Sequence, residues 1–142
     1  DNRIMADGGQ YIIGLNEVAV NIQISQNLIE TYAFWIGGGL ASRYIMEGKL
    51  LNAEEALSAG LVDELVPLEQ VLPMAEARMQ HYLKADQEIL INTKRKLRKN
   101  LLARLDLDAE NSLKEAATLW CNPEIRTKME AYVKSFTNKK KV

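Results

Sequence analysis

Two kinds of apolar pattern divide this chain. Near the start, apolar residues come in short blocks, Ile4-Met5-Ala6 and Tyr11-Ile12-Ile13, on either side of Asp7-Gly8-Gly9. Asp-Gly suits a tight turn because glycine takes a positive φ without steric penalty, so two short strands are predicted there. Further on, Leu28, Ile29, Tyr32, Phe34, Trp35 and Ile36 recur at helical spacing between Ser25 and Gly37. Ser25 offers an accepting hydroxyl at the helix start. Leu40 to Met46 predicts a second short helix stopped by Gly48, and Asn52 caps a third that ends at Gly60. Glu54 and Glu55 fall near the positive end of that helix dipole. Leu61 to Val66 then reads as a strand closed by Pro67.

Beyond Pro67 the pattern is helical throughout. Leu68 to Ala85, Asp86 to Leu105, Asp108 to Trp120 and Pro123 to about Phe136 form four successive runs. Asp86, Asp108 and Asn122 are the expected caps, and Pro123 takes a first-turn position where its missing N–H costs nothing. The chain therefore divides into an α/β part over residues 1–67 and a helical part over 68–142. No internal repeat is visible, and the Lys139-Lys140-Lys141 end is expected to be solvated.

Composition narrows the function classes. With 18 basic and 19 acidic residues the net charge is -1, so no overall field draws nucleic acid or a membrane surface. A hydrophobic content of 47% in 142 residues supports a packed core and excludes general disorder. No apolar run is long enough to span a bilayer. The single cysteine, Cys121, has no internal disulfide partner, which fits a reducing or matrix-like compartment.

The clearest candidate for chemistry is Glu17, which follows the strand Tyr11-Ile12-Ile13 and stands among Leu15, Val18, Ala19 and Val20. A carboxyl group in such poorly solvating surroundings is suited to act as a base. Its competing reading is a helix-start residue with its head in water. Other motifs carry less. Gly37-Gly38-Gly39 lacks the preceding strand and following Lys-Ser/Thr of a phosphate loop, so a helix cap running into the next helix is the better reading. His81 is the only histidine and has no Cys or Asp at ligand spacing, so no metal site is expected. Cys121 has no histidine base nearby, and Tyr11, Trp35 and Trp120 read as core or interface aromatics. The basic run Lys94-Arg95-Lys96-Leu97-Arg98-Lys99 reads as a solvated mid-helix face. RNA binding through it is disfavoured because no aromatic stacking platform is interleaved.

Arg3-Ile4-Met5-Ala6-Asp7, Tyr11-Ile12-Ile13-Gly14-Leu15-Asn16-Glu17-Val18, Gly48, Ala53-Glu54-Glu55-Ala56 and Ala59-Gly60-Leu61-Val62-Asp63 together resemble the crotonase (enoyl-CoA hydratase/isomerase) superfamily. Gly14-Leu15-Asn16-Glu17 is most similar to its mitochondrial-type Δ3,Δ2-enoyl-CoA isomerases. The likeness is in register from Asp1 to Pro67 and looser through the helices. It implies the C-terminal half of a crotonase fold, an α/β core followed by an α-helical oligomerisation subdomain, since members are nearly twice as long.

The resemblance also implies chemistry. Glu17 corresponds to the carboxylate that shuttles a proton from C2 to C4 of a 3-enoyl-CoA, while the backbone N–H donors to the enolate oxygen belong to the half not spanned here. The coenzyme A thioester is substrate, and no metal or redox cofactor is implied. Leu15 and Ile22 correspond to acyl-pocket lining. Tyr132 is expected to stack on the CoA adenine, with Lys134 near its phosphate and Lys94 a further phosphate contact. Family members assemble as trimers, often stacked as hexamers, in the bacterial cytoplasm or in mitochondria and peroxisomes. Three positions depart from the family pattern. Asn21 stands where relatives commonly have Gly, Ser25 where a Pro is often seen, and Lys134 falls two residues after the aromatic instead of three. Two alternatives stay open: a hydratase, which needs a second carboxylate, and a non-catalytic helical oligomerisation module.

Overall fold

The computed structural model describes residues 2–105 and 109–139. The two strands around the Asp-Gly-Gly turn, β1 (Ile4–Ala6) and β2 (Ile12–Ile13), form where the apolar blocks predict them. They do not pair with each other. β1 runs parallel to β4 (Glu64–Val66), and β2 runs antiparallel to β3 (Leu51–Asn52), a strand the sequence pattern did not reveal. Parallel neighbours require a long crossover, supplied here by α1 (Gln26–Ile36), α2 (Gly38–Glu47) and α3 (Ala53–Ser58).

Each helix end in this part has an identifiable cause. Ser25 Oγ accepts from the Leu28 N–H at 3.4 Å and opens α1. Asn52 and Glu55 form a reciprocal capping box at 2.8 and 3.0 Å that opens α3. Glu55 is held below the usual carboxylate range by that backbone hydrogen bond and by Lys49. The strand expected over 61–66 shrinks to Glu64–Val66, because the Leu61 and Val62 N–H groups fold back to the Ala56 carbonyl at 2.8 and 3.2 Å. Those two residues complete the end of α3 instead of extending the sheet.

The core lies entirely in this part. Among the described side chains, the fully buried ones fall between Ala6 and Val62, with Tyr32, Ile45, Leu51, Ala56, Leu61 and Val62 packed as one cluster. Leu51 has no exposed surface, and burial of one such side chain is worth about 1.5–3 kcal/mol.

One side chain closes the β1–β4 seam. Arg3 pairs with Asp63 through two hydrogen bonds of 2.6 and 3.0 Å, donates to the Gly60 carbonyl at 3.0 Å, and lies 3.7 Å over the Trp35 ring. Arginine suits this post because its planar fork serves a carboxylate, a carbonyl and an aromatic face together.

Beyond β4 come α4 (Leu68–Leu83), α5 (Gln87–Leu97), α6 (Lys99–Leu105), α7 (Ala109–Cys121) and α8 (Pro123–Lys139). The single helix expected over 86–105 is broken at Arg98, whose φ of -102° and ψ of 7° leave the helical region. Tertiary contacts override helix propensity there: α6 turns to meet α1, where Arg104 pairs with Glu30 at 3.0 Å. The basic run is therefore split between two helices. Asp86 caps α5 through the Ile89 N–H at 3.0 Å, while the expected cap Asp108 lies outside the described residues. Arg78 clamps Glu64 with two bonds of 2.9 and 2.8 Å and ties α4 to β4.

Gly48 carries the contact that seats the Glu17 segment on the end of α2. With φ +57° it ends α2, and a Cβ added there would lie 2.5 Å from the Ala19 Cβ. Gly14 is equally confined, since a side chain would strike the Lys49 carbonyl. The segment from Gly14 to Asn21 thus rests directly on the 48–50 turn.

Two outcomes check these points. Gly48→Ala should destabilise by roughly 1–2 kcal/mol from the left-handed backbone alone. Gly39→Ala, facing open space in α2, should stabilise by roughly 0.5–1 kcal/mol; thermal unfolding that ranks the two variants the other way contradicts the packing described. The second outcome concerns acid. The Arg3 side-chain hydrogen bond, outweighing burial, holds Asp63 below its ordinary 3.8. A depressed carboxylate contributes stability above its unfolded pKa and loses it as pH falls through the folded value. Asp63→Asn should therefore be less stable than the native chain at neutral pH, and the gap should close below about pH 4. A gap that persists unchanged under acid refutes the role of the ion pair.

Candidate active site

Glu17 is presented at the start of a short 3-10 turn, Val18–Val20, immediately after β2. The turn winds the backbone tightly around this residue. Val20 N–H donates to the Glu17 carbonyl at 3.1 Å and Ile22 N–H donates to it at 2.8 Å. Asn21 closes the turn in the left-handed region, φ 58° and ψ 40°. This accounts for the departure at that position. Glycine takes this conformation freely, and Asn is among the few other residues that tolerate it.

Glu17 borders a cavity of about 400 Å³. One side mixes the apolar Ile22, Ile24 and Leu28 with the polar Gln23, Ser25 and Gln26, and the other, from the α7–α8 hairpin, is apolar: Leu119, Trp120, Ile125 and Met129. Glu17 Oε2 is buried and has no hydrogen-bond partner among the described residues. A buried carboxylate oxygen without a donor is costly to keep, and such unsatisfied groups concentrate where a ligand or a reaction completes them.

The expected site residues divide between several places. Ile22 lines the same cavity as Glu17. Leu15 packs against the core cluster. Tyr132, on α8, has its hydroxyl bonded by Asn16 Nδ2 at 2.6 Å, next door to Glu17. Lys134 is exposed two residues further along α8. Lys94 lines a separate cavity of about 500 Å³ between β1, α4 and α5, with Arg78, Tyr82 and Leu90.

Asn16 and the α7–α8 wall residues were not anticipated as site components. Trp120, read from sequence as a core or interface aromatic, is 58% exposed and faces the cavity. Nothing local marks Leu119, Trp120, Ile125 or Met129, because the Asn122-Pro123 corner alone brings them opposite Glu17. That corner is built as expected, with Asn122 Oδ1 accepting from Glu124 N–H at 2.9 Å.

Among the described residues, no group of three or more His, Cys, Asp or Glu is placed to hold a metal ion, and no helix is long and apolar enough to cross a membrane. The arrangement sets one carboxylate-bearing residue beside an apolar wall, the pairing that proton transfer on an apolar ligand calls for.

Comparison with known proteins gives the family. The family model described as enoyl-CoA hydratase/isomerase matches residues 1–142. The chain is 32% identical over 140 residues to the mitochondrial enoyl-CoA delta isomerase 1 of Rattus norvegicus, covering 99% of this chain and 48% of that relative. For the Homo sapiens protein the identity is 29%, with 46% of the relative covered. The solved human mitochondrial delta3-delta2-enoyl-CoA isomerase superposes with a TM-score of 0.83 at 29% identity, over 99% of this chain and 54% of that one. A probable enoyl-CoA hydratase from Mycobacterium tuberculosis gives 0.73 at 25% identity, over 86% and 52%. The chain spans about half the length of the relatives it matches. With a crotonase α/β fold, the chain belongs to the enoyl-CoA hydratase/isomerase family.

Proposed function

We propose that Glu17 is the proton-moving base of an enoyl-CoA isomerase that shifts a 3-enoyl-CoA double bond to the 2-enoyl position. The observation that carries this reading is the buried, donorless Oε2 of Glu17, a residue that borders a cavity with an apolar α7–α8 wall. The names of the rat and human relatives support isomerisation over hydration.

The chemistry balances with one carboxylate. Glu17 takes the proton from C2, leaving an enolate of the thioester, and the acid so formed returns that proton to C4 as the double bond moves. A carboxylate accepts and donates from the same oxygen, so no second acid is needed. The developing negative charge on the thioester oxygen requires fixed N–H donors, which this reading assigns to the part of the fold not spanned by the chain. The apolar side chains of Ile22, Leu28, Trp120 and Met129 suit the acyl tail. Hydration would instead call for a second carboxylate to activate water.

Exposed apolar side chains on α4 and α5, among them Leu72, Leu83, Ile89 and Leu97, support assembly through these helices. The expected state is a trimer or a stacked hexamer. Sedimentation velocity that finds a monomer at micromolar concentration refutes this.

Glu17→Gln in the assembled enzyme tests the catalytic reading. It keeps the shape and removes the base, so turnover of a 3-enoyl-CoA should fall by about 10²–10⁴-fold with the fold intact. Turnover near that of the native enzyme removes Glu17 from the mechanism. Unimpaired isomerisation accompanied by water addition to a 2-enoyl-CoA would favour the hydratase.

A further inference from the structure

The hydrogen bond from Asn16 to Tyr132 joins residues 116 positions apart, and it is partly buried. It is the point where α8 grips the catalytic turn, and α8 also contacts Val18–Val20 directly. Asn16 is held at both ends: its side chain donates to Tyr132 Oη at 2.6 Å, while its carbonyl accepts from Val20 N–H at 3.3 Å. Glu17 is the next residue. On α8, Met129 lies three positions before Tyr132, which places both on one face of the helix. Met129 and Ile125 form part of the wall facing Glu17. One bond therefore sets the distance between the carboxylate and the wall against which a ligand must lie.

Accordingly, we propose that Asn16 and Tyr132 are a positioning pair: the Tyr132 hydroxyl, through Asn16, holds the Glu17 turn in register with the α7–α8 wall of the cavity. The proposal rests on the reading of Glu17 as the base. It gives Tyr132 a task in catalysis different from stacking on adenine, and the two tasks depend on different parts of the side chain. Stacking needs the ring, whereas positioning needs the hydroxyl.

The physical expectation follows from how steeply proton transfer depends on alignment. A base displaced by a fraction of an ångström still binds substrate at its apolar wall but reaches C2 and C4 less often, so turnover falls while affinity is kept. Loss of a single neutral hydrogen bond is worth about tenfold in an equilibrium between aligned and misaligned states.

The test uses Tyr132→Phe and Asn16→Ala in the assembled enzyme with a 3-enoyl-CoA, each compared with Glu17→Gln. Tyr132→Phe keeps the ring and removes the hydroxyl. Its kcat should fall by about tenfold with KM within about twofold, and Asn16→Ala should match it. The double variant should be no slower than either single one, because both remove the same bond. A raised KM with native kcat in Asn16→Ala and Tyr132→Phe overturns positioning in favour of a ligand contact. Native kcat and KM in Tyr132→Phe overturns it as well. Should one variant fail to fold, the other decides by the same kcat and KM criteria. If Glu17→Gln itself retains turnover, the failure belongs to the assignment of the base; if Glu17→Gln is inactive and the pair variants are not impaired, the failure belongs to this proposal alone.

Discussion

The close seating of the Gly14–Asn21 segment on the 48–50 turn is the constraint from which the site follows. Two positions without side chains, Gly14 and Gly48, allow backbone to approach backbone more nearly than any other residue would permit. β2 reaches β3 across this contact, the 3-10 turn is pressed against the end of α2, and Glu17 stands at the edge of the cavity. Only then do α7 and α8 matter. They meet a turn already fixed by the core and close the opposite side of the cavity.

The packed core and the cover of the cavity are divided along the chain. The buried cluster, the Arg3–Asp63 pair and the capping box all lie before Pro67, within the part that holds Glu17. The later helices contribute no fully buried side chain among those described, and they present apolar surface such as Leu72, Ile89 and Leu97. Their contribution to the site is a wall and a grip: Trp120 and Met129 face the cavity, and Tyr132 holds Asn16. A well-packed platform carrying Glu17, joined to a less deeply packed cover, separates what is fixed from what has room to admit a ligand.

Much of the first part was legible in the residues because its signals are local. Ser25, Asn52 and Asp86 cap the helices they were expected to cap, since a cap is decided within four residues. Glu17, singled out for its apolar sequence neighbours Leu15, Val18, Ala19 and Val20, borders a cavity lined by other residues, Ile22, Ile24 and Leu28 among them, and Asn21 takes the αL conformation that asparagine tolerates. Long-range choices were not legible. β1 ignores the strand beyond its own turn and pairs with β4, some sixty residues away, and β3 has two residues and no pattern to detect. The break at Arg98 follows from α6 meeting α1, a contact absent from any local window. For the same reason Asn16 and Tyr132 gave no sign of each other, and Lys94 fell on a cavity apart from Glu17.

The central claim is that one shielded carboxylate carries the same hydrogen from one carbon to another. Isotope transfer reads this directly. A 3-enoyl-CoA deuterated at C2, turned over in ordinary water by the assembled enzyme and analysed early in the reaction, should yield 2-enoyl product with deuterium at C4. A product whose C4 hydrogen comes wholly from solvent, from the first turnovers onward, would contradict the account.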